Sequence, residues 1–291
     1  MINKKITSKS VLLMCFLFIL FSVGTFSVLY FYNNTCQSVN ISGPSYVDII
    51  NSKKDVAQQI TSVYGSYKNF SYTVKKEEVL DTVNRNQNSL NSVYNETHTN
   101  ISGTCAEVAS LIMLKYFADI DNKNFTDYNQ EYANIIRLAI NNNYLATNGT
   151  GTNVNVIASM FSKILNSKSI SRKVSQDSWN LYDVIKNNVN ISKPTLLTIE
   201  NHAVVSCGYI EYEVKFTKTV PYWIFWTRDV ATTETMRFAV INDGWSNSTV
   251  ENVNDKNYSY IWAEKMNYNF WDWLHAVVGT SAYNNIIVGD K

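Results

Sequence analysis

A thiol acts as a nucleophile when an imidazole takes its proton and a third polar group holds that imidazole in place. Residues 102–117 carry a candidate thiol: the small, turn-forming Ser102-Gly103-Thr104 runs directly into Cys105 and then into an almost wholly apolar stretch that reaches Phe117. This pattern predicts a buried helix with Cys105 in its first turn, where unpaired backbone N–H groups and the helix dipole favour a thiolate and lower the thiol pKa. Free cysteine is also a common small core residue, which is the plainer reading of the same position.

Three histidines are available as the base. His202 opens the strand-like run Asn201-His202-Ala203-Val204-Val205-Ser206-Cys207-Gly208-Tyr209 and is the strongest candidate. His98 lies seven residues before Cys105, too near along the chain to be presented from a second layer, and His275 sits in the aromatic setting Trp271-Asp272-Trp273-Leu274-His275, which suits a core residue. For the third group, Phe238-Ala239-Val240-Ile241 reads as a strand that ends in Asn242-Asp243-Gly244-Trp245. Asn242 is the expected orienting residue and Asp243 the other choice, since neighbours on an extended backbone point to opposite faces. Asn-Asp-Gly is equally a common β-turn composition. By the same alternation His202, Val204 and Ser206 share a face that Cys207 does not, which disfavours Cys207 as a rival thiol.

These residues need elements to hold them. Segments with helical character lie at 46–64, 75–94, 105–117, 126–145, 154–165 and 179–189. After Pro194 the chain turns β-branched and aromatic at 195–200, 202–216, 236–241, 258–263 and 286–289, as expected of antiparallel strands. A helical first half followed by a β second half predicts an α+β fold with a cleft between its layers.

Gly-Thr-Cys leading into a small-residue apolar helix, then His-Ala-Val-Val with Gly-Tyr, then a strand ending Asn-Asp-Gly-Trp, resembles the papain-like cysteine peptidases, particularly the bacterial streptopain-like and double-glycine-peptidase-like branches. The match runs through residues 99–246 in order. It implies a helical lobe carrying the nucleophile helix, packed on an antiparallel β-sheet lobe. It also implies a Cys105 and His202 ion pair, with Asn242 at the position of the family's orienting asparagine. Where the family carries an oxyanion-hole glutamine this chain reads His98-Thr99-Asn100-Ile101, leaving Asn100 as the substitute. The His202 to Asn242 separation is long for the family and implies an insertion around 220–234. That insertion holds Val220-Pro221-Tyr222-Trp223-Ile224-Phe225-Trp226, whose aromatic residues suit a substrate cleft, a membrane interface or a packed edge hairpin.

The N-terminus places the whole. Residues 11–32 carry no formal charge and, at about 1.5 Å per residue, span roughly 33 Å as a helix, the thickness of a bilayer core. Lys4, Lys5 and Lys9 precede this run and no basic residue follows it until Lys53, so the positive-inside bias puts the N-terminus in the cytoplasm. The organisation expected is a cytoplasmic segment at 1–10, a transmembrane signal anchor at 11–32, a polar tether at 33–44 and one peptidase domain at 45–291 outside the plasma membrane. A cleaved signal peptide releasing a secreted protein is the competing reading. Cys15 falls inside the apolar run, and of the remaining three thiols Cys36 and Cys207 are free to pair with each other.

The formal net charge is +1, and three of the 25 basic residues precede position 41, so the remainder is nearly neutral and offers no basic stripe for nucleic acid. No Cys/His cluster has zinc-ligand spacing and the glycines near 149–151 do not form a nucleotide loop, so no metal and no cofactor is expected. The function expected is hydrolysis of peptide or protein substrates through an acyl-enzyme on a Cys-His-Asn triad. The alternatives are a transglutaminase-like or cell-wall amidase-like thiol enzyme using Cys-His-Asp, and a non-catalytic surface protein with a degenerate peptidase fold.

Overall fold

The computed structural model describes residues 40–41, 49–83, 85, 87, 89–91, 103–146, 151–177, 180–199, 202–222, 226–244, 258–266 and 284–290. In chain order these form β1 (Asn40–Ile41), β2 (Ile49–Ile50), α1 (Lys53–Tyr64), β3 (Lys68–Val79), α2 (Cys105–Ile120), α3 (Tyr128–Asn141), β4 (Leu145–Ala146) and β5 (Gly151–Asn153). They continue with α4 (Ile157–Ser167), β6 (Val174–Asp177), α5 (Leu181–Val189), β7 (Thr195–Ile199), β8 (His202–Pro221), β9 (Thr227–Asn242), β10 (Ser259–Trp262) and β11 (Asn284–Val288). The result is α+β with antiparallel strand pairing throughout the described ladders.

The helix α2 is buried on nearly every side because its sequence is. Val108, Leu111, Ile112, Met113, Leu114 and Phe117 are all almost fully enclosed, each contributing about 1.5–3 kcal/mol by leaving water. Its first turn packs where β7 and β8 begin their ladder. The strand β8 is the spine of the large sheet. Along one edge it pairs with β9 from Val205 to Pro221, and along the other it pairs first with β7, from His202 to Ser206, and then with β3, from Gly208 to Thr217. Outward from this spine the sheet continues through β10 and β2 on one side and through β11 and β6 on the other. A core of Val56 and Ile60 from α1, Leu181 and Ile185 from α5, and Tyr209, Ile210 and Phe238 from the sheet closes this layer.

Two expectations change. The helix anticipated at 75–94 is, over its described start, part of the strand β3, because pairing with the long β8 overrides the helix-forming Lys75-Lys76-Glu77-Glu78. Those exposed charges instead protect β3 as a flank of the sheet. The insertion between His202 and Asn242 is not a bulge in the fold but the far half of the β8–β9 hairpin, paired to Pro221 and Thr227. The anchor at 11–32 lies outside the described residues, among which no helix is long and apolar enough to cross a membrane.

Candidate active site

Cys105 is the first residue of α2. The preceding Thr104 does not cap the helix with its side chain, unlike Ser52 before α1 and Asp127 before α3. Its hydroxyl is instead turned to Asn91 and Tyr132, at 2.8 Å from each. The backbone N–H groups at the helix start are thereby left to the sulfur, which receives hydrogen bonds from Cys105 itself, from Ala106 and from Ala203 on β8. The Ala203 bond ties the thiol to the residue that follows His202.

His202 is the first residue of β8, paired across the hairpin with Ile199. Its Nε2 lies 3.0 Å from the backbone carbonyl of Asp243. A carbonyl only accepts, so this bond requires the hydrogen on Nε2 and makes Nδ1 the basic nitrogen. Cys105, His202 and Asn242 are all buried, at 2%, 0% and 3% exposure.

The register of β8 and β9 then separates the two neighbours. Asn242 stands opposite Val205, and directly paired antiparallel residues project to the same face. Alternation therefore gives Asn242 the face of Ala203 and Val205, and gives Asp243 the face of Val204 and His202. The side chains follow suit. The Asn242 amide donates to the carbonyl of Val83, while its Oδ1 is buried without a hydrogen-bond partner among the described residues. The Asp243 carboxylate accepts from Ser259 on β10 at 3.0 Å. It is thus the backbone of Asp243, not the Asn242 amide, that the structure brings to the imidazole. Gly244 follows with φ of +69°, a left-handed value that favours glycine, and its carbonyl accepts from Gln87 N–H at 2.8 Å.

Burial dominates the electrostatics. It pushes the Cys105 thiol up to about 12, aided by the nearby Glu107 carboxylate and opposed by the three N–H groups, so the helix start does not deliver the lowered thiol pKa expected from position alone. Burial likewise lowers His202 to about 4, against the opposing pull of Asp243. At neutral pH the described site holds a neutral thiol and a neutral imidazole.

No family model, curated protein or solved structure matches this chain. Its chemistry therefore rests on its own geometry.

Sequence reading passed over Glu107, two residues beyond Cys105 and fully buried. Thr152 on β5 donates to its Oε1, and its Oε2 has no hydrogen-bond partner among the described residues. Desolvation raises this carboxyl to about 7. The signal was visible, since Glu107 is the one acid inside the apolar run from Ala106 to Leu114. Cys207 is a second buried thiol, with Sγ 3.7 Å from the Val240 carbonyl, and burial raises it too to about 12. Asn100, His98, His275, Cys36 and Trp245 lie outside the described residues. Among the described residues no three His, Cys, Asp or Glu side chains converge as metal ligands. A cavity of about 210 Å³ lies elsewhere, between α2, α3 and α4, lined by Leu114, Glu131, Ile135 and Lys168 among others.

Proposed function

We propose that this chain is an extracytoplasmic cysteine peptidase of papain-like architecture, anchored through residues 11–32, with Cys105 as nucleophile and His202 as base. The observation that carries the reading is the hydrogen bond from Ala203 N–H to the Cys105 sulfur, which sets a helix-start thiol beside the strand-start histidine. In the reaction, Nδ1 of His202 takes the thiol proton as the Cys105 sulfur attacks the substrate carbonyl carbon. The same proton passes to the departing amine, leaving a thioester on Cys105. Water, deprotonated by His202, then attacks the thioester, releasing the acid and restoring the thiol. The Cys105 N–H stabilises the oxyanion, with Asn100 as its proposed second donor. The neutral resting pair means that proton transfer accompanies attack rather than preceding it. The Asp243 carbonyl holds the Nε2 hydrogen, fixing the tautomer, while Asn242 secures the strand end to Val83.

Hydrolysis of a peptide library by the full-length protein tests this. Cys105→Ala and His202→Ala should each abolish turnover with the fold retained, and Asp243→Pro, which disturbs the carbonyl, should cost more than Asn242→Ala. Full turnover by Cys105→Ala sinks the proposal. A second reading, a non-catalytic protein with a degenerate peptidase fold, is favoured by one observation: the complete enclosure of both Cys105 and His202. Absence of turnover on every peptide, with Cys105 inert to alkylation in the native state, would select it.

A further inference from the structure

The backbone N–H groups that open an α-helix have no acceptor inside it, and at α2 each can be followed to its partner. Val108 N–H makes the first intrahelical bond, to the Thr104 carbonyl at 3.0 Å. Ahead of it, Glu107 N–H meets its own side-chain carboxyl, and Cys105 and Ala106 N–H meet the Cys105 sulfur. A threonine placed as Thr104 is ordinarily caps a helix by accepting, through its hydroxyl, the N–H two or three residues on, here Ala106 or Glu107. The Thr104 hydroxyl and the Cys105 sulfur are therefore rivals for the Ala106 N–H.

Two residues from outside the helix decide between them. The Thr104 hydroxyl donates to Asn91 Oδ1 at 2.8 Å, and the Tyr132 hydroxyl on α3 donates toward Thr104 Oγ1, at 2.8 Å, and toward Asn91 Oδ1. Thr104 and Tyr132 are 0% and 1% exposed, so water does not compete for these bonds. The Thr104 backbone follows, with φ −99° and ψ 25°, outside the extended region in which Ser52 and Asp127 cap α1 and α3.

We propose that Tyr132 and Asn91 are positioning residues for the thiol: they hold the Thr104 hydroxyl off the start of α2, so that the Ala106 N–H stays with the Cys105 sulfur. This rests on the reading of Cys105 as nucleophile. A donor bonded to sulfur matters most as the sulfur sheds its proton, because hydrogen bonds to a charged acceptor are roughly twice as strong as neutral ones. With the two holding residues gone, Thr104 can turn to the extended cap conformation and take the Ala106 N–H. The thiolate then keeps two N–H donors of its three.

The test follows full-length protein in detergent by two rates at a single pH. One is alkylation of Cys105 by iodoacetamide, located by peptide mass, and the other is kcat/KM on a cleaved peptide. Tyr132→Phe together with Asn91→Ala should slow both about tenfold, the size of one lost charge-assisted bond. Tyr132→Phe alone, which keeps the buried ring, should shift both the same way by less, and it carries the test if the paired variant fails to fold. Thr104→Val has no hydroxyl to compete, so by itself it should leave both rates near wild type. Added to either slowed variant it should restore them. A merely loosened helix start gives the opposite sign, since Cys105 is enclosed and easier access speeds alkylation. Alkylation unchanged or faster in the slowed variants overturns the proposal, as does slowing that Thr104→Val leaves in place. Cys105 inert in wild type and variants alike also overturns it. Slowed and restored alkylation with no peptide cleaved would uphold the positioning and sink only the peptidase reading.

Discussion

Cys105 and His202 were legible as residue types in their settings: a thiol at a turn-to-helix junction and a histidine opening an apolar strand. The third position was not, because whether Asn242 or Asp243 faces His202 depends on cross-strand register. Register is fixed by the bulge between Ser206 and Gly208 and by the pairing of Val205 with Asn242, neither of which single-strand alternation reveals. The pKa expectation also missed, since a helix start lowers a thiol pKa only where solvent or a charged partner supports the thiolate. Burial leaves two buried groups with opposite pH signatures. Glu107 moves from an ordinary 4.5 to about 7 on folding, so the folded state binds the extra proton and stability falls as pH rises through that window. His202 moves from 6.5 to about 4, so stability falls as pH drops through that window. Each is worth about 3 kcal/mol in full, and the two oppose each other between them. In denaturant titrations of the full-length protein in detergent, Glu107→Gln should raise stability at pH 8 relative to pH 5, and His202→Gln should remove the loss on acidification. A Glu107→Gln protein with the wild-type difference between the two pH values would contradict this.

At the scale of elements, helices with strong apolar periodicity are where the sequence puts them, as α2, α3 and α5 illustrate. The β3 strand is the informative miss: its local preference is helical, and the strand forms because β8 beside it offers an unpaired edge. Gly208 marks how closely the two approach. A Cβ there would sit 2.5 Å from the Glu78 carbonyl oxygen, a backbone atom that cannot rotate aside. Gly208→Ala should therefore destabilise by about 1–3 kcal/mol, with β3 displaced from β8. Thermal melts should show Tm lowered by about 2–4 °C per kcal/mol. An unchanged Tm would mean that β3 is not held at this distance.

For the whole molecule, the α+β class and the change from helical to β character near Pro194 follow from patterning, and the length of the β8–β9 ribbon does not. Its distal half carries too few buried positions to separate strand from loop in the sequence, and only its pairing makes it a ribbon. The layout puts the thiol and imidazole at the sheet end of that hairpin and the aromatic apex at the other, with α2 driving Cys105 into the junction. The account depends on Cys105 being a nucleophile activated by His202. The most direct measurement is to quench the full-length protein during turnover of an activated ester or peptide and locate the trapped acyl group by peptide mass. The account predicts an acyl group on Cys105, none on Cys207, and none on either in His202→Ala. Acylation of Cys207 in place of Cys105, or undiminished acylation of Cys105 in His202→Ala, would contradict it.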